Sequence, residues 1–85
     1  MEYRLLVSFD VIEFLETLKK TDQRMLRNRF LEITGFLSQY SDFKEEDTNG
    51  RFVDIHIAEK YAIKFWEDTV DMDLKVLDVH LADRG

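Results

Sequence analysis

Between Phe52 and Ala82 apolar and polar residues alternate in three stretches, at about 52–57, 61–67 and 74–82, separated only by short polar turns. Alternation with period two is the pattern of a strand with one buried face. Links this short force neighbouring strands to run antiparallel, because a parallel crossover needs a dozen or more residues. With a pause at Ala58-Glu59-Lys60, the alternation predicts a buried face of Val53, Ile55, Ile57, Tyr61, Ile63, Phe65, Leu77, Val79 and Leu81. The opposite face then carries Asp54, His56, Ala62, Lys64, Trp66, Val76, Asp78 and His80.

The first half of the chain reads differently. YRLLVSF at 3–9 is rich in strand formers. Asp10 and Glu13 have the spacing of a capping box, in which each side chain satisfies an orphan amide at a helix start. Val11, Phe14, Leu15 and Leu18 follow at helical spacing. Thr21 is placed to cap a second, longer helix whose apolar stripe is Leu26, Phe30, Ile33 and Leu37, continued by Tyr40 and interrupted by Gly35. SDFKEEDTNG at 41–50 reads as a polar loop ending in a turn. The expected fold is α+β in the order β-α-α-β-β-β, a single domain over 1–85. Its two N-terminal helices pack on one face of an antiparallel sheet, and the other face is at least partly open.

Eighty-five residues support one modest core. The chain holds no cysteine, so neither a disulfide framework nor a thiolate metal site can be proposed. No metal and no cofactor is expected, and without a glycine-rich phosphate loop nucleotide hydrolysis is set aside. There is no apolar run long enough to span a bilayer and no basic-then-apolar leader, so a cytoplasmic protein without a membrane partner is expected. Twelve Lys and Arg against eighteen Asp and Glu leave a formal charge of −6, a poor balance for general binding to phosphate backbones. Most of one basic cluster, Lys19, Lys20, Arg24, Arg27 and Arg29, lies on the second helix. Asp42, Glu45, Glu46 and Asp47 lie in the loop that follows.

Three groups carry chemistry. His56 and His80 fall on the same predicted face and titrate near neutrality, which suits acid–base work. Beside Asp54 and Asp78 they also read as ordinary surface pairs. Trp66 with Val76 forms a small exposed apolar patch of the kind that marks partner sites. Arg24 and Arg27 present the helix cations, either as a binding surface or as a solvated helix back. The acidic loop lacks the ligand spacing of a calcium site.

With these residues in place, YRLLVSFDVIEFLETL and HIAEKYAIKFWEDTVDMDLKVLDVHLADR resemble the opening and ending of the RelE/ParE toxin superfamily of bacterial toxin–antitoxin systems. Tyr61 opening a strand, Asp71 with Asp73 in an acidic turn, and the run from Val76 to Arg84 occupy the family's places. The resemblance implies a small cytoplasmic toxin neutralised by a cognate antitoxin. In the RelE-like branch it implies a translational repressor, an endoribonuclease that cleaves mRNA on the ribosome. The residues available for that chemistry are His56, Lys64, His80 and Arg84, with Trp66, Val76, Arg24 and Arg27 for partner binding. Ribosome, mRNA and a second copy of the chain are the further partners implied. Asp54 and His56 stand where RelE-like sequences place lysines, and Ala62 where they place an arginine. The ParE-like branch acts on DNA gyrase through protein contacts and does not need those residues. A catalytically silent or ParE-like binding module is therefore the alternative.

Overall fold

The computed structural model describes residues 3–82, with the backbone alone at 37 and 38. The elements in chain order are strand β1 (Arg4–Val7), helix α1 (Phe9–Glu16), helix α2 (Lys20–Gly35), a 3-10 turn (Leu37–Tyr40), and strands β2 (Phe43–Glu46), β3 (Phe52–Ala58), β4 (Tyr61–Asp68) and β5 (Asp73–Leu81). They form an α+β fold with a five-stranded sheet in the order β1-β5-β4-β3-β2. The last three strands are antiparallel neighbours, as their short links require.

Two features depart from the sequence expectation. The acidic stretch after α2 is no mere loop: Phe43–Glu46 forms an edge strand that pairs antiparallel with β3. β1 joins the far side of β5 in parallel, so the sheet is mixed. The two helices intervening between β1 and the later strands provide the long connection that a parallel neighbour needs.

Helix ends are also set differently. Ser8, not Asp10, caps α1: its Oγ accepts from the Val11 amide at 3.3 Å. α2 begins after Lys19 with no side-chain cap, so Thr21 lies inside the helix. Gly35 ends that helix, and Phe36 takes the C-cap with its amide donating to Glu32 and Ile33 carbonyls.

The core lies between the helices and one sheet face. Val11 and Leu15 from α1 and Leu26, Phe30 and Ile33 from α2 meet Ala58, Tyr61, Ile63, Phe65, Leu74, Val76 and Val79. Burying a side chain of this size contributes about 1.5–3 kcal/mol relative to leaving it exposed, which makes this layer the source of the fold's cohesion.

Strand faces follow from the register. Glu59 and Lys60 form a two-residue turn, with Ala58 opposite Tyr61. That is one residue tighter than the expected three-residue pause, and a one-residue slip moves every side chain of a strand to the other face. Asp54, His56 and Ala58 therefore share the helix-side face with Ile63 and Phe65, whereas Val53, Ile55 and Ile57 go to the open face. The expected positions of these β3 side chains are reversed. β5 carries a bulge: Lys64 pairs with Asp78 but Phe65 with Val76, so Leu77 is the extra residue. The bulge lets Leu74 and Val76 before it, and Val79 after it, all face the core.

Candidate functional site

With the helices covering one side, the other side of the sheet is the surface left for a partner or substrate. Alternation and register place Ala62, Lys64, Trp66 and Asp68 of β4 on it. Beside them stand Asp73, Lys75, Asp78 and His80 of β5, Val53, Ile55 and Ile57 of β3, Phe43 and Glu45 of β2, and Arg4 and Leu6 of β1.

The cations on this face are held. Lys64 Nζ meets Glu45 Oε1 at 3.0 Å, Lys75 Nζ meets Asp68 Oδ2 at 3.1 Å, and Arg4 Nε donates to Asp73 Oδ1 at 2.9 Å. His80 Nδ1 lies 2.7 Å from Asp78 Oδ2. Arg51 pairs with Asp47 at 2.8 Å. Asp68 is held below the ordinary carboxylate value by the Asp71 amide first and by Lys75 second. Asp68, Asp71 and Asp73 bring carboxylate oxygens within 4.8 Å of one another. Lys75 and Arg4 already neutralise two of the three.

Trp66 is the centre of the face. Arg51 lies 4.4 Å from its ring centroid and Lys75 Nζ 5.1 Å, so cations flank the aromatic surface. Val53 stands beside it by register and is fully buried although it faces away from the helices. The tryptophan is thus fixed by neighbours and only half exposed.

His56 is elsewhere. It is 7% exposed on the helix side and bridges three segments. Arg29 Nη1 of α2 donates to its Nε2 at 2.7 Å, and its Nδ1 lies 3.0 Å from Asp42 Oδ2. A guanidinium can only donate, so Nε2 is unprotonated and the proton resides on Nδ1, donated to Asp42. Tyr40 stands edge-on to the imidazole at 4.9 Å, and Arg29 also meets Glu32 at 3.1 Å. Burial holds the imidazole pKa below its ordinary 6.5, although Asp42 pulls the other way. Asp42 Oδ2 accepts from the Ile57 amide as well, which ties the approach to β2 onto β3. Asp54, next along this face, accepts from Ser41 at 2.5 Å and Lys44 at 2.6 Å. Both polar side chains serve as cross-braces between β3 and the segment entering β2.

The structure therefore places Lys64, Trp66 and His80 on one sheet face, with His80 opposite Ala62 and Trp66 opposite Lys75, and separates them from the other sequence candidates. His56 is inside, under α2. Val76 is 1% exposed and packs in the core, so it belongs to no surface patch; the bulge at Leu77 is the reason. Arg24 borders a polar groove along α2 with Thr21, Met25, Asn28, Arg29 and Glu32, while Arg27 borders an apolar cleft on the β1 side of the same helix. Arg84 lies outside the described residues. Sequence reasoning missed Asp42 and Arg29 as the partners of His56, and Arg51 and Lys75 as the partners of Trp66. Lys75 stands directly opposite Trp66 only because the bulge at Leu77 shifts the register, and for the others too only the folded chain supplies proximity.

No family model and no curated sequence matches the chain. Among solved structures it is similar to a chain of the archaeal RelE–RelB complex from Pyrococcus horikoshii OT3, with a TM-score of 0.81 over the whole of both chains and 18% sequence identity. The fold is that of RelE. A RelE-like fold agrees with the resemblance carried by the opening and closing segments, and it places the helices and the open sheet face as that resemblance implied. Among the described residues no helix is long and apolar enough to cross a membrane.

Proposed function

We propose that this chain is the RelE-like member of a toxin–antitoxin pair, a cytoplasmic protein that acts through protein contacts at its open sheet face and has lost RNA cleavage. The observation that carries this reading is charge pairing: each described Arg and Lys on that face, Arg4, Arg51, Lys64 and Lys75, is engaged by a carboxylate, and His80 lies against Asp78. A scissile phosphate would have to displace those carboxylates or lie beside them. Stabilising a developing anionic charge needs donors already aimed at it. The overall charge of −6 works in the same direction. That the similar archaeal RelE was solved with RelB supports an antitoxin partner.

A second reading has one observation in its favour. Trp66, flanked by Arg51 and Lys75, offers a stacking surface of the kind that receives a base, with Lys64 and His80 on the same face. In that reading Lys64, His80 and Arg84 serve ribosome-dependent mRNA cleavage, and His56 supports the fold.

Tightly controlled expression in a bacterial host, with growth followed and mRNA 5′ ends mapped, separates the two. Growth arrest without new ends, relieved by a co-expressed antitoxin and retained by the Lys64→Ala/His80→Ala double variant, is the expected result. New codon-phased ends that disappear in the double variant would establish cleavage instead. Soluble, folded protein that leaves growth untouched would remove the toxin reading.

A further inference from the structure

Helix α2 ends at Gly35. Past that end a polar cleft of about 490 Å³ opens over the helix-side face of β3 and β4. Gly35, Phe36 and Gln39 line it from the helix end, and Ser41, Lys44, Asp54 and Glu67 from the sheet. Alternation sets Glu67 on this face with Ile63 and Phe65, as it sets Phe52 there with Asp54.

Two carboxylates in the cleft each have an oxygen to spare. Asp54 is only 9% exposed, and Ser41 and Lys44 both donate to its Oδ1. Its Oδ2 takes no hydrogen bond from the described residues, and none of their buried side-chain polar atoms lacks a partner, so Oδ2 is open to the cleft. Glu67 is arranged alike: the Tyr3 hydroxyl donates to its Oε2 and leaves Oε1 unclaimed. Against these two carboxylates stands one ammonium, Lys44, so the cleft lacks a positive charge. The end of α2 that borders it has no basic residue in its last turn, and that end of a helix carries partial negative charge. Phe36 and Phe52, both largely exposed, put aromatic surface alongside.

A missing positive charge, spare acceptors from two strands and an aromatic wall describe a site for an organic cation. We infer that this cleft binds a guanidinium group, paired with the free oxygens of Asp54 and Glu67 and stacked on Phe36. The planar fork matches carboxylate geometry and has donors enough for both carboxylates and the Gln39 side chain. Its charge is delocalised and weakly hydrated, so it tolerates Lys44 nearby and gains from an aromatic face. A divalent metal ion is a poorer occupant. It would sit close to the Lys44 ammonium with two free carboxylate oxygens, where calcium takes about six to eight oxygen ligands. The cleft lies on the helix side of the sheet, away from the open face, and the inference stands apart from the toxin reading.

The test is titration of N-acetyl-arginine amide and of propylguanidine into the isotope-labelled full chain at constant ionic strength, read by amide shifts. Both should give saturable shifts centred on Phe36, Ser41, Asp54 and Glu67. N-acetyl-lysine amide should bind several-fold more weakly, because an ammonium lacks the fork. Glu67→Gln keeps an acceptor for Tyr3 and should weaken the guanidinium probes by about tenfold. Phe36→Leu should weaken them by a smaller factor, and Glu13→Gln, exposed on α1, should change nothing. Tighter binding of the blocked arginine than of propylguanidine assigns the site to an arginine within a polypeptide. Equal or tighter binding of propylguanidine assigns it to a small free guanidinium compound. Shifts scattered over the acidic surface, equal affinity for the lysine probe, affinity untouched by Glu67→Gln, or no saturable shift at all would overturn the inference. Where Glu67→Gln disturbs the spectrum of the free protein beyond the cleft, Phe36→Leu and the lysine comparison decide.

Discussion

Arg29 and His56 meet at 2.7 Å, and only a neutral imidazole can accept that bond. The fold thus selects one protonation state of a histidine whose ordinary pKa is 6.5, and burial moves the folded value below it. An unfolded chain takes up the proton first as pH falls, so the stability supplied by neutral His56 is present above 6.5 and lost as pH drops through the folded value.

The corresponding measurement is the urea midpoint at a series of values between about pH 8 and pH 5. The midpoint should be flat at the upper end and fall toward the lower. His56→Gln should lower the neutral-pH stability by about 1–3 kcal/mol, since Arg29 and Asp42 lose a shared partner, and should flatten the slope. Asp68 is held below 3.8 by the Asp71 amide and Lys75; Asp47 also ends below that value because Arg51 and Asn49 outweigh its burial. The losses from those two groups fall at lower pH and separate from the histidine step. A slope unchanged in the variant would rule out His56 as its source.

Tyr61 anchors β4 to the start of α2, its hydroxyl donating to Asp22 Oδ2 at 2.7 Å. Burial and then the Asp22 carboxylate push its pKa up to about 12. Tyr61→Phe should cost about 1–2 kcal/mol, because the bond is to a charged acceptor. An alkaline ultraviolet titration should show the variant losing a phenol that ionises near about 12. Wild-type stability retained in full would mean that Asp22 is satisfied equally well by Lys60 alone.

The tight turn between β3 and β4 depends on Glu59, whose φ of 58° lies in the left-handed region. Lys60, the second turn residue, is not among the positive-φ positions, which is the pattern of a hairpin turn with glycine preferred first. Glu59→Gly should therefore raise stability by roughly 0.5–1 kcal/mol in thermal melts. Destabilisation would show that the Glu59 side chain contributes more than its backbone conformation costs.

Trp66 is the chain's single tryptophan, so its fluorescence reports on the open face alone. A partner seated on that face should shift its emission. Trp66→Ala should cost about 1–3 kcal/mol through lost contacts with Arg51 and Lys75 and exposure of Val53. A partner that binds this variant with unaltered affinity would place its contacts off the open face.

Local pattern was enough to establish most of the architecture. The apolar stripe of Leu26, Phe30 and Ile33 forms a helix side because residues at those spacings fall on one face, and all three are buried. The alternation of Tyr61, Ile63 and Phe65 forms the central strand for the corresponding reason at period two. Short turns require β3, β4 and β5 to run antiparallel, since a parallel crossover needs a dozen or more residues. The open-face positions of Lys64, Trp66 and His80 were legible from the same alternation.

What alternation cannot determine is its own phase across a turn or a bulge. Whether Ala58 belongs to the turn or to the strand changes the face of every residue before it, and local preference at Ala58-Glu59-Lys60 does not choose. Partners from distant segments fit the observed phase: Arg29 and Asp42 satisfy His56, and Ser41 and Lys44 satisfy Asp54, so two polar residues can be buried without an unpaired group. The bulge at Leu77 likewise depends on β4 and the helix layer together, and it moves Val76 from an expected surface patch into the core. Sequence by itself determined the elements other than β2, their order and the helix-side stripe, because these depend on periodicities within one segment. Only the tertiary structure decided the parallel place of β1, the phase of β3 and the pairing of Arg4 with Asp73 and Lys64 with Glu45 on the open face, because each requires residues far apart in the chain to meet.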